Sequence, residues 1–405
     1  MSNGGRSALG FFAAFVVVGA AVAGLAVRNR IEIGGSPAPV STSSGLVASQ
    51  GDTAPSDAAL FHRLTLELEK RYVEPVKDKS VLGAGAVRGM IGSLMDPDST
   101  YYDKDQWAVV KARRQGRMQG IGADLSLVYD KTQIEKLQKS DATVDQILLI
   151  PDVFITWVAP GGPADKAGLK PGDRISNVND YWVMSGTEID TLRKRASLTG
   201  SDKPTEAELD DIRKRLDDIS SKNMTPARAR EKLTTGESGT AQIKYVRNGQ
   251  EQNATLNLAL VEVKPINLTS EGTHIQISDQ AAQELPNDLK VLDLRGTQNG
   301  EAGAIQALLH KIAGGGVFGR ISRAAGGTAR PLQGSGERSD VSGLTVLIDR
   351  WTGSQAQILA QTLEARGAKV KGTANGDARW IESVDLENGA GYTLATGRFK
   401  AEGAK

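Results

Sequence analysis

Ser354 stands in D-R-W-T-G-S-Q-A-Q (349–357), after the apolar run L-T-V-L-I (344–348) and before 358–367, a helically spaced segment that Gly367 ends. Strand, tight turn and helix together present a serine hydroxyl at a helix N-terminus, where developing negative charge is stabilised. Such a hydroxyl attacks a carbonyl only with a base beside it, and none is evident in the turn itself. Ser354 is therefore a candidate nucleophile in search of a partner. Three histidines, His62, His274 and His310, are scattered along the chain, and there is no cysteine. Thiolate chemistry, disulfides and cysteine metal sites are excluded, and no metal or cofactor is indicated.

The elements that must position this serine belong to a chain of 405 residues, enough for two or three domains. Lys and Arg number 49 against 48 Asp and Glu, interspersed, which gives no electrostatic footprint for nucleic acid. Residues 8–27, A-L-G-F-F-A-A-F-V-V-V-G-A-A-V-A-G-L-A-V, carry no charge and are flanked by Arg6, Arg28 and Arg30. At 1.5 Å per residue they match a hydrocarbon core of about 30 Å. The expectation is a single-pass membrane anchor with the folded part exported, periplasmic or extracellular. A cleaved signal peptide using A-V-A-G (21–24) is the alternative. Residues 34–57, rich in Gly, Ser, Pro and Ala, read as a flexible linker.

Helical spacing marks 59–73 and 78–95, with Asp78 or Ser80 as a cap for the second, and 96–107 reads as a turn into a third helix. From 120 the pattern is strand-like. Residues 147–160 read as a β-rich pair broken at Pro151 and Asp152, and 161–180 as a short helix, a turn and a strand. Residues 240–261 read as a hairpin whose Asn248-Gly249 turn suits type I′ geometry. Between them, 185–223 reads as two antiparallel helices. Ser185/Glu188 and Thr205/Glu208 fit capping boxes, and Leu209, Ile212, Leu216 and Ile219 form a narrow apolar seam. This hairpin is a surface insertion or a partner-binding arm. Strands are expected at 290–296, 368–373 and 391–399, and a helix at 301–314. Residues 314–343 carry nine glycines without hydrophobic periodicity and read as a mobile loop.

This order of motifs resembles the carboxy-terminal processing proteases, or tail-specific serine peptidases. Residues 64–102, with Y-V-E-P and D-P-D-S-T-Y, are similar to the family's N-terminal helical segment. Gly120-Ile121-Gly122 followed by P-A-D-K-A-G-L-K-P-G-D (163–173) resembles its embedded PDZ domain. V-L-D-L-R-G-T-Q-N-G (291–300) and 349–373 resemble its core. The resemblance implies a PDZ domain that reads substrate C-termini and gates a protease core. Gly120, Ile121 and Gly122 would offer backbone N–H groups to the terminal carboxylate, beside a strand edge that accepts a peptide.

The resemblance also implies a Ser–Lys pair, in which a desolvated lysine loses its proton and acts as base. Alignment keeps Ser354 as nucleophile but places Asp377 at the lysine position and Ile381 at a following glutamine position. A carboxylate, ordinarily of pKa about 4, is a poor acceptor for a serine proton. Lys369 and Lys371 share one face of the preceding strand and are substitutes of last resort. Residues 296–299, G-T-Q-N, lack the family's proline and first glycine. Gly300 remains as the candidate oxyanion turn, and Asp293 and Arg295 are retained as structural residues.

The expected fold class is α+β: an N-terminal transmembrane helix, a PDZ domain and a protease-like αβ core. The expected domains are an anchor (1–33), a linker (34–57), a helical module (58–118), a PDZ-like domain (119–263) carrying the insertion 185–223, and a protease-like core (264–405). The expected partners are protein C-terminal tails or unfolded polypeptides, the membrane through 8–27, and a possible partner of the hairpin. The leading expectation is tail binding with degenerate or weak peptidase activity. The alternative is an active serine endopeptidase using Ser354 with a non-standard base.

Overall fold

The computed structural model describes residues 57–94, 96–130, 135, 150–323 and 328–403. The apolar run 8–27 and residues 147–149 of the expected strand pair at 147–160 lie outside these residues. Among the described residues no helix is long and apolar enough to cross a membrane. The chain divides into two compact units, Met1–Met95 and Asp96–Lys405.

In the first unit the described elements are the helices Asp57–Arg71 and Ser80–Gly92. Asp78 starts the second: its carboxylate accepts from the Ser80 N–H at 2.9 Å and from the Ser80 hydroxyl at 2.7 Å. Lys70 and Arg71 in the last turn of the first helix complement its dipole. The third helix, Lys104–Arg114, belongs to the second unit and opens on a capping box between Asp103 and Gln106.

The second unit contains three large sheets. The first has seven strands. Among the described residues its edge strand Ala123–Val128 pairs only with Asp152–Val158, which leads to Arg174–Val178 and the hairpin Thr240–Arg247/Gln250–Asn257. Asn248 and Gly249 both have positive φ (52° and 78°), as the hairpin turn requires. Ile121, Val153, Ile155, Ile175 and Leu233 fill the core between this sheet and the helix Pro226–Thr234.

The insertion forms the helices Gly186–Ala196 and Glu206–Ser221. Ser185 Oγ accepts from the Glu188 N–H at 3.1 Å, and the Thr205 N–H donates to the Glu208 carboxylate at 2.7 Å. Ile212 and Ile219 are buried, while Leu209 and Leu216 are half-buried. The hairpin is not free of the domain: Ile189 and Ile219 pack on Trp182 and Met184. Glu188 adds polar ties to Arg215 and to the Trp182 indole.

The second large sheet orders its strands Ile266–Leu268, Thr273–Ile275, Val291–Asp293, Thr345–Leu347 and Lys369–Lys371. All pairs after the first are parallel. The helices Ala302–Ala313 and Ser354–Ala365 follow its central strands, and their apolar faces bury Ile305, Leu308, Leu309, Ile358, Leu359 and Leu363. The third sheet joins Thr100–Tyr102, Gly391–Ala401, Gly314–Ser322, Arg330–Arg338 and Arg379–Asp385.

The glycine-rich stretch is a correction to the sequence reading. Residues 314–322 and 330–338 are paired antiparallel strands rather than a loop, and 319–322 also pair with 398–401. Glycine is used there for proximity. A Cβ on Gly315 would meet the Gly336 carbonyl oxygen at 1.9 Å. Close approach without side chains erases the hydrophobic alternation by which a strand is recognised in sequence.

Because Ile219 fills the contact between insertion and sheet, Ile219→Ala should lower the stability of this unit by about 2–5 kcal/mol. Urea unfolding checks this, and a change under about 0.5 kcal/mol would mean that the hairpin is only an appendage.

Candidate active site

Two turns meet because their strands are parallel neighbours. Val291–Asp293 and Thr345–Leu347 lie side by side, and the chain leaves both at the same end, where α/β sheets form their crevices. The Leu294 N–H donates to the Leu347 carbonyl, the Thr352 hydroxyl to the Leu294 carbonyl, and the Gly353 N–H to the Thr297 carbonyl at 2.9 Å. Ser354 is thereby fixed as the first residue of its helix, against residues 297–300.

Its hydroxyl donates to Asp98 Oδ2 at 2.5 Å. Asp98 comes from the D-P-D-S turn, which is tied to the third sheet. The Ser99 hydroxyl and Arg379 both donate to Asp96 at 2.7 Å, and the Thr393 hydroxyl donates to the Asp98 carbonyl at 2.9 Å. Desolvation pushes the Asp98 carboxyl above the usual aspartate range. The bond from Ser354 opposes that shift, and the neighbouring Asp96 charge reinforces it.

The network continues through side chains. Asn299 Nδ2 donates to Asp98 Oδ1 at 2.8 Å, and Asn299 Oδ1 accepts the Gln355 N–H at 2.9 Å. Gln355, fully buried, accepts the Gly300 N–H at 2.9 Å and donates to the Ile381 carbonyl at 3.0 Å. The backbone N–H groups of Gly300 and of the residue after Ser354 are thus both held by the protein's own amide side chains. Gly300 must be glycine, since a Cβ would meet the Ile277 carbonyl oxygen at 2.1 Å.

Asp377 is elsewhere: its exposed side chain faces Arg398 at 4.0 Å. Lys369 and Lys371 are exposed on the edge strand of the parallel sheet. Among the described residues, none of these three is hydrogen-bonded to Ser354. Asp293, buried, and Arg295 form a two-point clamp at 2.9 and 2.7 Å, a structural arrangement. No group of three or more metal-ligating side chains occurs among the described residues.

In the loop 120–122, the Gly120 N–H donates to the Gly236 carbonyl and the Ile121 N–H to the Leu233 carbonyl, both at 2.8 Å. The loop is therefore tied to the end of the helix Pro226–Thr234. Gly122 is the one of the three whose N–H carries no such bond among the described residues. A cavity of about 280 Å³ is lined by Leu125 and Ser126 of the edge strand, by Arg230 of the helix, and by Asp98, Asn299 and Gly300. The strand–helix groove and the serine site thus open into one space.

The two sheets are joined beside this cavity. Gln298 donates to the Thr156 hydroxyl at 3.1 Å, and Trp351 in the serine turn lies against Phe154, ring centroids 5.3 Å apart. Buried His274 stacks on Trp157, with its Nε2 3.3 Å from the Thr297 hydroxyl.

Sequence reasoning missed Asp98, Asn299 and Gln355. An aspartate at the open position of D-P-x-S-x-Y was the available signal for Asp98. Nothing local joins it to a serine 256 residues away.

A family profile described as "PDZ domain" matches residues 154–193, and one described as "Activating protease CtpB N-terminal domain" matches 50–106. The carboxy-terminal processing protease CtpA of Bacillus subtilis (strain 168) is 30% identical over 117 residues, 29% of this chain and 20% of that protein. CtpB of the same organism is 30% identical over 122 residues, 30% of this chain and 21% of that protein. A solved structure, the photosystem II D1 C-terminal processing protease, superposes with a TM-score of 0.51 at 16% identity, covering 86% of this chain and 89% of that one. By profile, sequence and fold the chain is similar to the carboxy-terminal processing proteases. The sequence matches to the curated members span about a fifth of their length, and the D1 protease shows a shared fold. Within the family frame, the sheet 123–257 with its flanking helix is the PDZ domain, and the parallel sheet with its serine turn is the protease-like core.

Burial holds the His274 imidazole at about 4, below its ordinary 6.5, although Asp293 opposes the shift. The unfolded chain therefore takes up that proton first. The stability tied to neutral His274 is complete above pH 6.5 and is lost as pH falls toward 4, by up to about 1.4 kcal/mol per pH unit. Urea unfolding at stepped pH should show this slope in the wild type and a flatter one in His274→Gln. Equal slopes would assign the acid sensitivity to other groups.

Proposed function

We propose that this chain is a membrane-tethered, tail-binding member of the family in which peptide-bond cleavage is weak or lost. The observation that carries the reading is the state of the serine turn. The Gly300 and Gln355 N–H groups are occupied by Gln355 and Asn299 side chains, and the residue at the lysine position, Asp377, faces Arg398. Acyl transfer to a serine needs free donors at the oxyanion and a base at the hydroxyl. Tail binding is supported by the PDZ match and by the edge of Ala123–Val128 that faces the helix Pro226–Thr234, has no strand partner among the described residues and suits strand addition by a peptide. The tether is supported by the uncharged run 8–27 and the linker that follows it. A second reading, a working serine endopeptidase with a non-standard base, is favoured by one observation, the Asp98 carboxylate on the Ser354 hydroxyl.

Octapeptides selected by display on this protein, then synthesised with free and amidated ends, test tail binding by fluorescence anisotropy. The free acid should bind at least about tenfold tighter, about 1.4 kcal/mol. Equal affinity would remove the carboxylate-reading function. Incubated with longer chains ending in the same sequence, wild type and Ser354→Ala should give the same slow loss of substrate. Robust wild-type cleavage abolished by Ser354→Ala would establish the peptidase instead.

A further inference from the structure

We infer that Asp98 is the proton acceptor of a serine–aspartate pair, giving Ser354 a residual reactivity toward activated esters that does not extend to peptide bonds. The inference rests on the retained serine of the proposed function and is independent of tail binding. Three observations carry it. The hydroxyl points its hydrogen at Asp98 Oδ2 from 2.5 Å, so no side chain must move for the proton to pass. The carboxylate is fixed from both sides, by Asn299 on its other oxygen and by the Asp96–Ser99–Arg379 cluster below the turn. Asp98, Asn299 and Gly300 line the cavity and half-buried Ser354 lies against Asp98, which gives a small acyl donor an approach to the pair from that side.

The step balances without a further reactant. With p-nitrophenyl acetate, Ser354 Oγ bonds to the carbonyl carbon and its proton moves to Asp98 Oδ2. The bond to the nitrophenyl oxygen breaks, and p-nitrophenolate leaves with the electron pair, needing no protonation. Asp98 then returns its proton to water, and acetyl-Ser354 remains. A peptide bond demands more: a supported oxyanion and a proton for the departing amine. The donors that would support the oxyanion are spent on Asn299 Oδ1 and Gln355 Oε1, so acylation stops at substrates whose leaving group departs unaided.

The test is acetylation of the full chain by p-nitrophenyl acetate, followed by nitrophenolate release and by intact mass with peptide mapping to Ser354. Ser354→Ala supplies the background from surface lysines. Wild type should acetylate at Ser354, and Asp98→Asn, which keeps the shape and an acceptor oxygen but cannot take the proton, should do so about 10²–10⁴-fold more slowly. Equal rates in wild type and Asp98→Asn, or no labelling of Ser354 in wild type, would overturn the inference. The wild-type pH profile decides the matter even if Asp98→Asn fails to fold. The charged groups facing Asp98 are Asp96 in its own turn and Arg379 from the third sheet. The rate should be level near neutrality and fall in acid with a single midpoint above that of an ordinary aspartate, and a midpoint in the lysine range would overturn the assignment. Failure of tail binding would show separately, as equal affinity for free and amidated peptides.

Discussion

The hydrogen bond from Ser354 to Asp98 is the contact on which the centre of this molecule depends, because it joins three separately built pieces. Ser354 is held by the parallel sheet and its helix. Asp98 is held by a turn pinned to the antiparallel sheet through Asp96, Arg379 and Thr393. Asn299, on the turn after the neighbouring parallel strand, donates to Asp98 and accepts the N–H of Gln355, the residue after Ser354. Buried polar groups of this kind are costly unless every partner is supplied, and here the partners come from positions 98, 299, 300, 354, 355 and 381. The resulting order fixes the Ser354 hydroxyl while leaving its surroundings self-satisfied.

That self-satisfaction separates geometry from chemistry in this fold. The family's frame is intact: parallel strands, a serine at the start of a helix, and a glycine turn alongside. Catalysis by such a frame requires unoccupied donors aimed at developing charge and a base of suitable strength. In this chain amide side chains occupy the donors and a carboxylate receives the hydroxyl. On the proposed reading, the same backbone that would lower a barrier for acyl transfer holds a resting network instead.

The PDZ domain is connected to this centre by contact as well as by chain. Its strand Asp152–Val158 touches the serine turn through Phe154 and Trp351 and the 296–300 turn through Thr156 and Gln298. Its neighbour Ala123–Val128 borders the groove. A peptide added to that edge would lie one strand away from residues that hold the Ser354 turn. The helical insertion sits on the Trp182–Met184 side of the same domain, where it completes a small core.

Sequence alone determined the local elements and the resemblance to the family. Capping residues at Ser185 and Thr205, the Asn248-Gly249 turn, the apolar seams and the P-A-D-K-A-G-L-K-P-G-D signature act within a few residues of one another, so their physics is written in spacing. The serine between strand and helix was legible for the same reason, while the placing of Asp377 at a lysine position came from the resemblance to the family. Tertiary structure alone decided what surrounds the serine. Asp98 and Ser354 are 256 residues apart, and their meeting depends on the register of two sheets, which no local pattern encodes. It also decided that the amides of Gly120, Ile121 and Gly300 are internally bonded, because a glycine in sequence shows only that its backbone can approach something, never what it approaches. The glycine-rich strands 314–322 and 330–338 follow the same rule: packing against a facing backbone made them strands, and that packing left no periodic signal in the chain.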